Sequence, residues 1–348
     1  MSSSPMLPAP RFASAVNRWL MICLALVVLM VALGGVTRLT ESGLSIVEWK
    51  LVSGTLPPLN EADWQAEFAE YKTSPQFLKV NASFTIDDFK KIFWLEYLHR
   101  LLGRIIGFAV VLPFAYFAAR GAFTKPLGNR LLVITCLIAA QGTVGWVMVA
   151  SGLKDQPRVE PIKLAAHLLL AFTVFTVMLW TRWQTRGTPR FSASRRMAIA
   201  VRVFLALVIG QIFFGALVAG LRAGLSYNTY PLMDGALIPS GLHLMNPWWL
   251  NHLESVLTVQ FQHRIGALLV IGYAAWLILT YYRQAQPVLQ RAMQWLIMVM
   301  IIQFALGVAT LLSGVNIALA SAHQLLALLL VSILAWMMYL VPLNSINR

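Results

Sequence analysis

Four histidines, His99, His167, His263 and His323, are the residues whose type and spacing bear most directly on chemistry. Each lies near one end of a long apolar segment, and all four lie at the same face if those segments cross a membrane in succession. An isolated imidazole inside a membrane helix is costly and needs a partner, so four at matched depths call for a single explanation. Two in each half of the chain point to a pair with something held between them. Imidazole suits iron, copper and zinc, but no carboxylate or thiolate cluster completes a tetrahedral zinc site here. Bis-histidine ligation of a haem fits better. It needs two helices facing each other across the ring, small residues that admit it, and a partner for each ligand's second nitrogen. Gly103, Gly266, Gly145 and Gly307 stand where such clearance is wanted. The competing reading makes each histidine an interhelical hydrogen-bond partner and Gly103 with Gly107 a packing motif. His243 and His252 have no counterpart in the first half, and surface roles are expected for them.

The neighbours of these histidines divide the two halves. Glu96-Tyr97-Leu98-His99-Arg100 becomes Gln260-Phe261-Gln262-His263-Arg264, so the acid is present once. A spacing of three puts Glu96 and His99 on one helix face. A carboxylate is therefore expected beside the first pair and not the second, giving one reactive site and one fixed cofactor site. The plainer reading is a structural ion pair of Glu96 with Arg100, or a carboxylate facing interfacial water. Arg100 and Arg264 sit where a guanidinium can meet haem propionates or reach lipid headgroups.

The elements that must position these residues are membrane helices. Of the 348 residues 59% are hydrophobic and 11% charged, and the mean hydropathy of +0.71 lies outside the range of ordinary soluble domains. Runs long enough to cross the hydrocarbon layer are expected at 19–37, 92–119, 131–152, 162–183, 199–220, 256–281, 292–313 and 317–341. The fold class is thus an all-α integral membrane protein with eight transmembrane helices. The first run lacks the small-residue cleavage pattern of a secretory signal and is expected to be retained. The net charge of +14 reflects sidedness rather than a nucleic-acid partner, since the basic residues are distributed by membrane side rather than clustered on one domain, and no acidic residue falls on the cytoplasmic side. Arg120, Lys125, Arg130, Arg182, Arg186, Arg190, Arg195, Arg196, Arg202, Arg283 and Arg291 would face the cytoplasm, as would both termini. Every Asp and Glu falls toward the other side. Cys23 and Cys136 sit within apolar spans, where a thiol behaves as a small hydrophobe, and neither a disulfide nor a thiolate site is expected.

The chain also repeats itself. Residues 25–45 can be laid without gaps on 206–226, and the stretch from Gln141 matches that from Gln303, aligning Gly145 with Gly307. An even number of helices per unit gives both copies the same orientation and implies two four-helix bundles related by a pseudo-twofold axis along the membrane normal. The expected division is a cytoplasmic leader at 1–18, a first unit at 19–183, a basic cytoplasmic linker at 184–198, a second unit at 199–341 and a cytoplasmic tail at 342–348. The long outer loops, 38–91 and 221–255, follow the first helix of each unit. The first has the composition to form short amphipathic helices lying over the bundle, but its detail is not legible in the sequence.

Taken together, the duplicated unit, Glu96-x-x-His99-Arg100, His167, the pair His263 and His323, and the strings GGVTRLTESGLSIVEWK from Gly34 and FGALVAGLRAGLSYNTYPLMDG from Phe214 resemble the haem A synthase family over essentially the whole chain. The resemblance implies oxidation of the C8 methyl of haem O to a formyl group by successive hydroxylations, the gem-diol losing water to give haem A. It implies a haem b cofactor on His263 and His323, with Arg264 beside it, serving electron transfer. The substrate haem would lie between His99 and His167 with Arg100 nearby. Glu96 would act next to the methyl, stabilising positive charge or taking a proton from attacking water. An inner-membrane location, a haem O synthase as donor and a membrane or soluble electron acceptor follow by the same resemblance, and a homo-oligomer is compatible with it. Some members carry a cysteine pair in the first outer loop. This chain has none there and resembles the branch of mitochondria and related proteobacteria. Two alternatives stand beside this reading. A dihaem b-type electron-transfer cytochrome would stack its haems at different depths and has no use for a single Glu96. A transporter would place its polar residues at the midplane.

Overall fold

The computed structural model describes residues 7–49 and 53–343. Parts of the expected leader and tail, residues 1–6 and 344–348, lie outside the described residues. Eleven α-helices are present among those described: α1 (Ala13–Leu39), α2 (Glu61–Lys72), α3 (Pro75–Lys79), α4 (Ile86–Ala119), α5 (Lys125–Gly152), α6 (Pro161–Thr185), α7 (Arg195–Gly220), α8 (Asn251–Glu254), α9 (Val256–Tyr281), α10 (Pro287–Leu312) and α11 (Ile317–Leu340). Eight of them, α1, α4, α5, α6, α7, α9, α10 and α11, are long and apolar enough to cross a membrane. The chain is an all-helical, multi-pass membrane protein.

Several of these helices begin earlier than their apolar runs because polar residues cap them. Thr85 and Asp88 form a reciprocal capping box at the start of α4, which satisfies amides that would otherwise lack partners. Ser194, Ser255 and Asn316 accept from the first-turn amides of α7, α9 and α11. Proline opens α5, α6 and α10, where its missing N–H costs nothing. As a result α4 starts at Ile86 rather than 92, and α6 and α7 run into the two ends of the basic segment at 184–198.

Each half closes on itself in the same order. In the first, α1 packs on α4 and α6, and α5 joins α4 to α6; in the second, α7 packs on α9 and α11, and α10 joins α9 to α11. The halves meet through their first and fourth helices, α1 on α11, α6 on α7 and α6 on α11. The buried core follows this seam, with Val16, Leu20 and Val27 of α1, Phe204 of α7, and Leu328 and Leu334 of α11 among its members. Apolar side chains such as Ile22, Phe108 and Leu279 point outward, as lipid-facing positions require.

Where the halves meet at the loop end, two residues at equivalent places in the repeat, Glu41 and Arg222, form an ion pair of 2.6 Å. Both adopt the left-handed backbone conformation, with φ of 57° and 54°. Arg38 donates to the carbonyl of Ala219, its own equivalent in the other half. Replacing Glu41 by Arg gathers like charges around Arg38 and Arg222. The melting temperature of the solubilised protein should drop by on the order of a few degrees, because the pair is partly exposed. The double exchange Glu41→Arg with Arg222→Glu should recover most of the loss. Circular dichroism melts of the wild type and the two variants check this.

Over the loop end of the first unit sits a cap built on α2 and α3. Trp64, Phe68, Tyr71, Phe89 and Phe93 form its aromatic core, with Phe68 and Tyr71 stacked on Phe89 at 5.2 and 5.1 Å between centroids. The Tyr71 hydroxyl donates to Gln76 and accepts from Asn81. Burial pushes its phenol up from the ordinary value, and the charge of Glu96 adds to the shift. The sequence left the form of this loop open, and the structure fills it with α2 and α3.

Candidate functional site

The four repeated histidines lie at similar depths from the loop end. His167, His263 and His323 stand six or seven residues into α6, α9 and α11, about 9–10 Å along each axis. His99 stands further into α4, whose first turns rise into the aromatic cap. His99 and His167 stand on α4 and α6, which flank α1 and α5 of the first unit, and His263 and His323 stand on α9 and α11, which flank α7 and α10 of the second.

Each imidazole rests against a glycine on a neighbouring helix. A Cβ on Gly34 of α1 would stand 3.1 Å from His99 Nε2, and one on Gly145 of α5 would stand 2.8 Å from His167 Cε1. In the second half a Cβ on Gly215 of α7 or Gly307 of α10 would stand 2.9 Å from Cε1 of His263 or His323. The first and third helices of each unit thus make cradles for imidazoles on the second and fourth. Gly145 and Gly307 were expected in this role. Gly34 and Gly215 were missed, although the repeat aligns them with each other. Gly103 and Gly266 make room for other side chains instead, Met30 and Gln211 respectively.

One turn before three of these glycines stands a glutamine that sequence reasoning also passed over. Gln141 Nε2 lies 3.2 Å from His167 Nδ1 and donates to the His167 carbonyl at 3.1 Å. Gln211 Nε2 lies 3.0 Å from His263 Nδ1 and donates to the His263 carbonyl at 2.8 Å. Gln303 Nε2 lies 3.3 Å from His323 Nε2, and the Gln303 carbonyl accepts from His323 Nδ1 at 3.1 Å. The Oε1 atoms of all three glutamines are buried without a hydrogen-bond partner. An imidazole bound to iron through one nitrogen needs an acceptor for the N–H of the other; the Gln303 carbonyl serves His323 in this way, and turning over the Gln141 or Gln211 amide would bring its Oε1 to Nδ1 of His167 or His263. Among the described residues no three His, Cys, Asp or Glu side chains gather as a metal site. Two imidazoles per site, glycine cradles and orphaned acceptors suit a metal whose remaining ligands come with a flat macrocycle.

Glu96 lies one turn from His99 and is almost fully buried. Its Oε2 accepts from the Ser45 amide at 2.7 Å, the Ser45 hydroxyl at 2.8 Å and the Ile46 amide at 2.9 Å. Its Oε1 accepts from Arg100 Nε and Nη2 at 3.0 and 2.6 Å. Arg100 also donates to the carbonyls of Ile46 and Glu48 and lies over the Trp49 ring. The second unit repeats the clamp with an amide. Gln260 donates to the carbonyls of Ala223 and Tyr227, and Arg264 donates to those of Tyr227 and Leu232. Both arginines therefore fasten the loop after the first helix of their unit. His243 is exposed, whereas His252 is held by Gln262 at 2.6 Å.

The profile of the COX15-CtaA family, described as cytochrome oxidase assembly protein, matches residues 17–335, a span that takes in both histidine pairs. The chain belongs to the COX15-CtaA family. Curated proteins similar to it include the haem A synthase of Bradyrhizobium sp. (strain ORS 278), 47% identical over 328 residues covering 93% of this chain and 91% of that protein. The haem A synthase of Rhodopseudomonas palustris (strain BisB5) is 46% identical over 326 residues, 93% of this chain and 90% of that one. That of Nitrosospira multiformis is 45% identical over 327 residues, 91% of each. Nearly full coverage on both sides carries the COX15-CtaA relationship across both units rather than one.

Proposed function

We propose that this chain is a haem A synthase, an oxidoreductase of the inner membrane that converts the C8 methyl of haem O to a formyl group. The observation that carries this reading is the asymmetry within a repeated architecture: two histidine cradles of one design, with a buried carboxylate beside the first and an amide in its place beside the second. The COX15-CtaA relationship and the similarity to named haem A synthases support it independently.

Conversion of a methyl to a formyl group adds one oxygen and removes four electrons and four protons when water is the oxygen source. In this reading His99 and His167 hold the substrate haem through its iron. Glu96 is fixed by Ser45, Ile46 and Arg100, so its charge does not have to reorganise as positive charge develops on the methyl carbon. The same carboxylate is the candidate to take a proton from water. His263 and His323 would hold haem b, which supplies one-electron transfer when bound. Gln211 and Gln303 would orient those two ligands, and Arg100 and Arg264 would keep the outer loops closed over the two sites. The basic ends of the helices face the cytoplasm with both termini, a haem O synthase delivers the substrate, and a membrane or soluble acceptor receives the electrons.

The test is haem extraction and mass analysis from a host that makes no haem A, producing this chain together with a haem O synthase. Haem A should appear only when both are present. Bound haem b without any haem A or hydroxylated haem O would overturn the synthase reading in favour of an electron-transfer cytochrome.

A further inference from the structure

Three of the four histidines share a supporting amide, and the fourth does not. Gln141, Gln211 and Gln303 reach His167, His263 and His323 from the turn before the cradle glycine. The gap-free alignment of 25–45 on 206–226 sets Gly34 opposite Gly215 and therefore Met30 opposite Gln211. Both side chains lie against the helix that carries the histidine of their unit. Met30 Cε lies 3.6 Å from where a Cβ on Gly103 would stand, four residues after His99, and Gln211 Oε1 lies 2.2 Å from where a Cβ on Gly266 would stand, three residues after His263. Among the described residues no hydrogen bond reaches the His99 ring. A thioether is a weak acceptor and donates nothing, so the one imidazole without an amide belongs to the site with the carboxylate.

We propose that Met30 is a positioning residue that makes His99 the exchangeable ligand of the first site. The inference rests on the reading of that site as the one that binds substrate haem. A retained cofactor wants both of its ligands oriented, because outer partners of a ligand strengthen its hold on the metal. A site that must take in haem O and release haem A works better with one ligand held by packing alone. His167, supported by Gln141, would act as the anchor and His99 as the ligand that lets go.

The test uses the full chain in detergent, loaded with ferric haem b as the probe, and follows haem loss to excess apomyoglobin by absorbance. Two phases are expected, and His99→Ala should abolish or greatly accelerate the fast one, which assigns it to the first site. Met30→Gln should slow the fast phase by roughly tenfold or more, the size of effect usual for an outer ligand partner, whereas Met30→Leu should not. In synthase assays Met30→Gln should lower kcat and leave more haem A bound to the purified protein. A fast phase changed less than twofold by Met30→Gln, or slowed equally by Met30→Leu, overturns the proposal. If Met30→Gln does not fold, Gln211→Met tests the same rule at the second site. It should accelerate the slow phase, and an unchanged slow phase would sink the idea. Wild-type protein that makes no haem A but responds to Met30→Gln in the transfer assay would remove the synthase reading and leave the ligand asymmetry standing.

Discussion

Replacing Glu96 by Gln should stop haem A formation while leaving haem b bound, so that haem O or a hydroxylated intermediate accumulates in extracts. Two roles compete for this carboxylate, and the structure gives the means to separate them. As a clamp it accepts from two amides, a hydroxyl and a guanidinium. Glu96→Ala would leave all of these donors unanswered and a buried guanidinium unpaired, a loss of about 3–5 kcal/mol that could unseat the loop by itself. Glu96→Gln keeps one oxygen for Ser45 and Ile46 and turns its amide toward Arg100, a donor against a donor, at about 1–3 kcal/mol. Gln260 occupies the equivalent place in the second unit and is buried there, so an amide is compatible with the architecture. The charge, however, is gone. If it stabilises the developing cation, turnover should fall by on the order of 10²–10³ with the loop still closed. Product mass and the haem b spectrum measured on one preparation read both quantities. Retention of more than a tenth of wild-type haem A formation would show that the clamp is the whole role.

Much of this was legible in the sequence, and the reasons differ from residue to residue. Histidine and glutamate are rare in apolar segments, so His99, His167, His263, His323 and Glu96 stand out against their background. Duplication then converts four isolated signals into one. The eight spans follow from length and hydropathy, as do the starts at Val256 and Ile317, but others do not, because Thr85 and Ser194 cap α4 and α7 from outside the apolar run. Gln141, Gln211 and Gln303 were overlooked because an intramembrane glutamine is read first as a helix–helix hydrogen bond. Their meaning emerges only when each is found one turn from a glycine that faces an imidazole. Gly34 and Gly215 carried a signal in the repeat alignment, yet a glycine in a membrane helix has many ordinary uses. The pairing of Glu41 with Arg222 was out of reach for a different reason. It depends on which helices of the two halves meet, and neither periodicity nor composition determines that.

On the proposal that His263 and His323 hold haem b, Gly215→Leu should abolish haem b binding and, with it, haem A formation, while Gly210→Ala in the same helix should affect neither. These two of the three glycines of α7 differ in what stands opposite them. A Cβ at 215 would lie 2.9 Å from His263 Cε1, closer than side-chain carbons approach one another, whereas a Cβ at 210 would meet nothing within 4 Å. The branched side chain of Leu at 215 must push the imidazole off its line or force α7 and α9 apart. Overpacking of this kind costs about 1–3 kcal/mol, less than a membrane-spanning bundle of this size needs to unfold. Ligation of a metal is short-ranged and directional, so an imidazole pushed off its line should fail as a ligand before the fold fails. The expected outcome is a protein that purifies in normal amounts with a helical circular dichroism spectrum but lacks the sharp low-spin absorbance of a bis-histidine haem. Gly210→Ala should retain that absorbance, since the only change is a methyl group directed into open space and helix propensity favours Ala. Gly215→Leu protein with full haem b and an unshifted spectrum would mean that the cofactor does not sit between His263 and His323. The assignment of the second site would then fall, whatever the chain's activity.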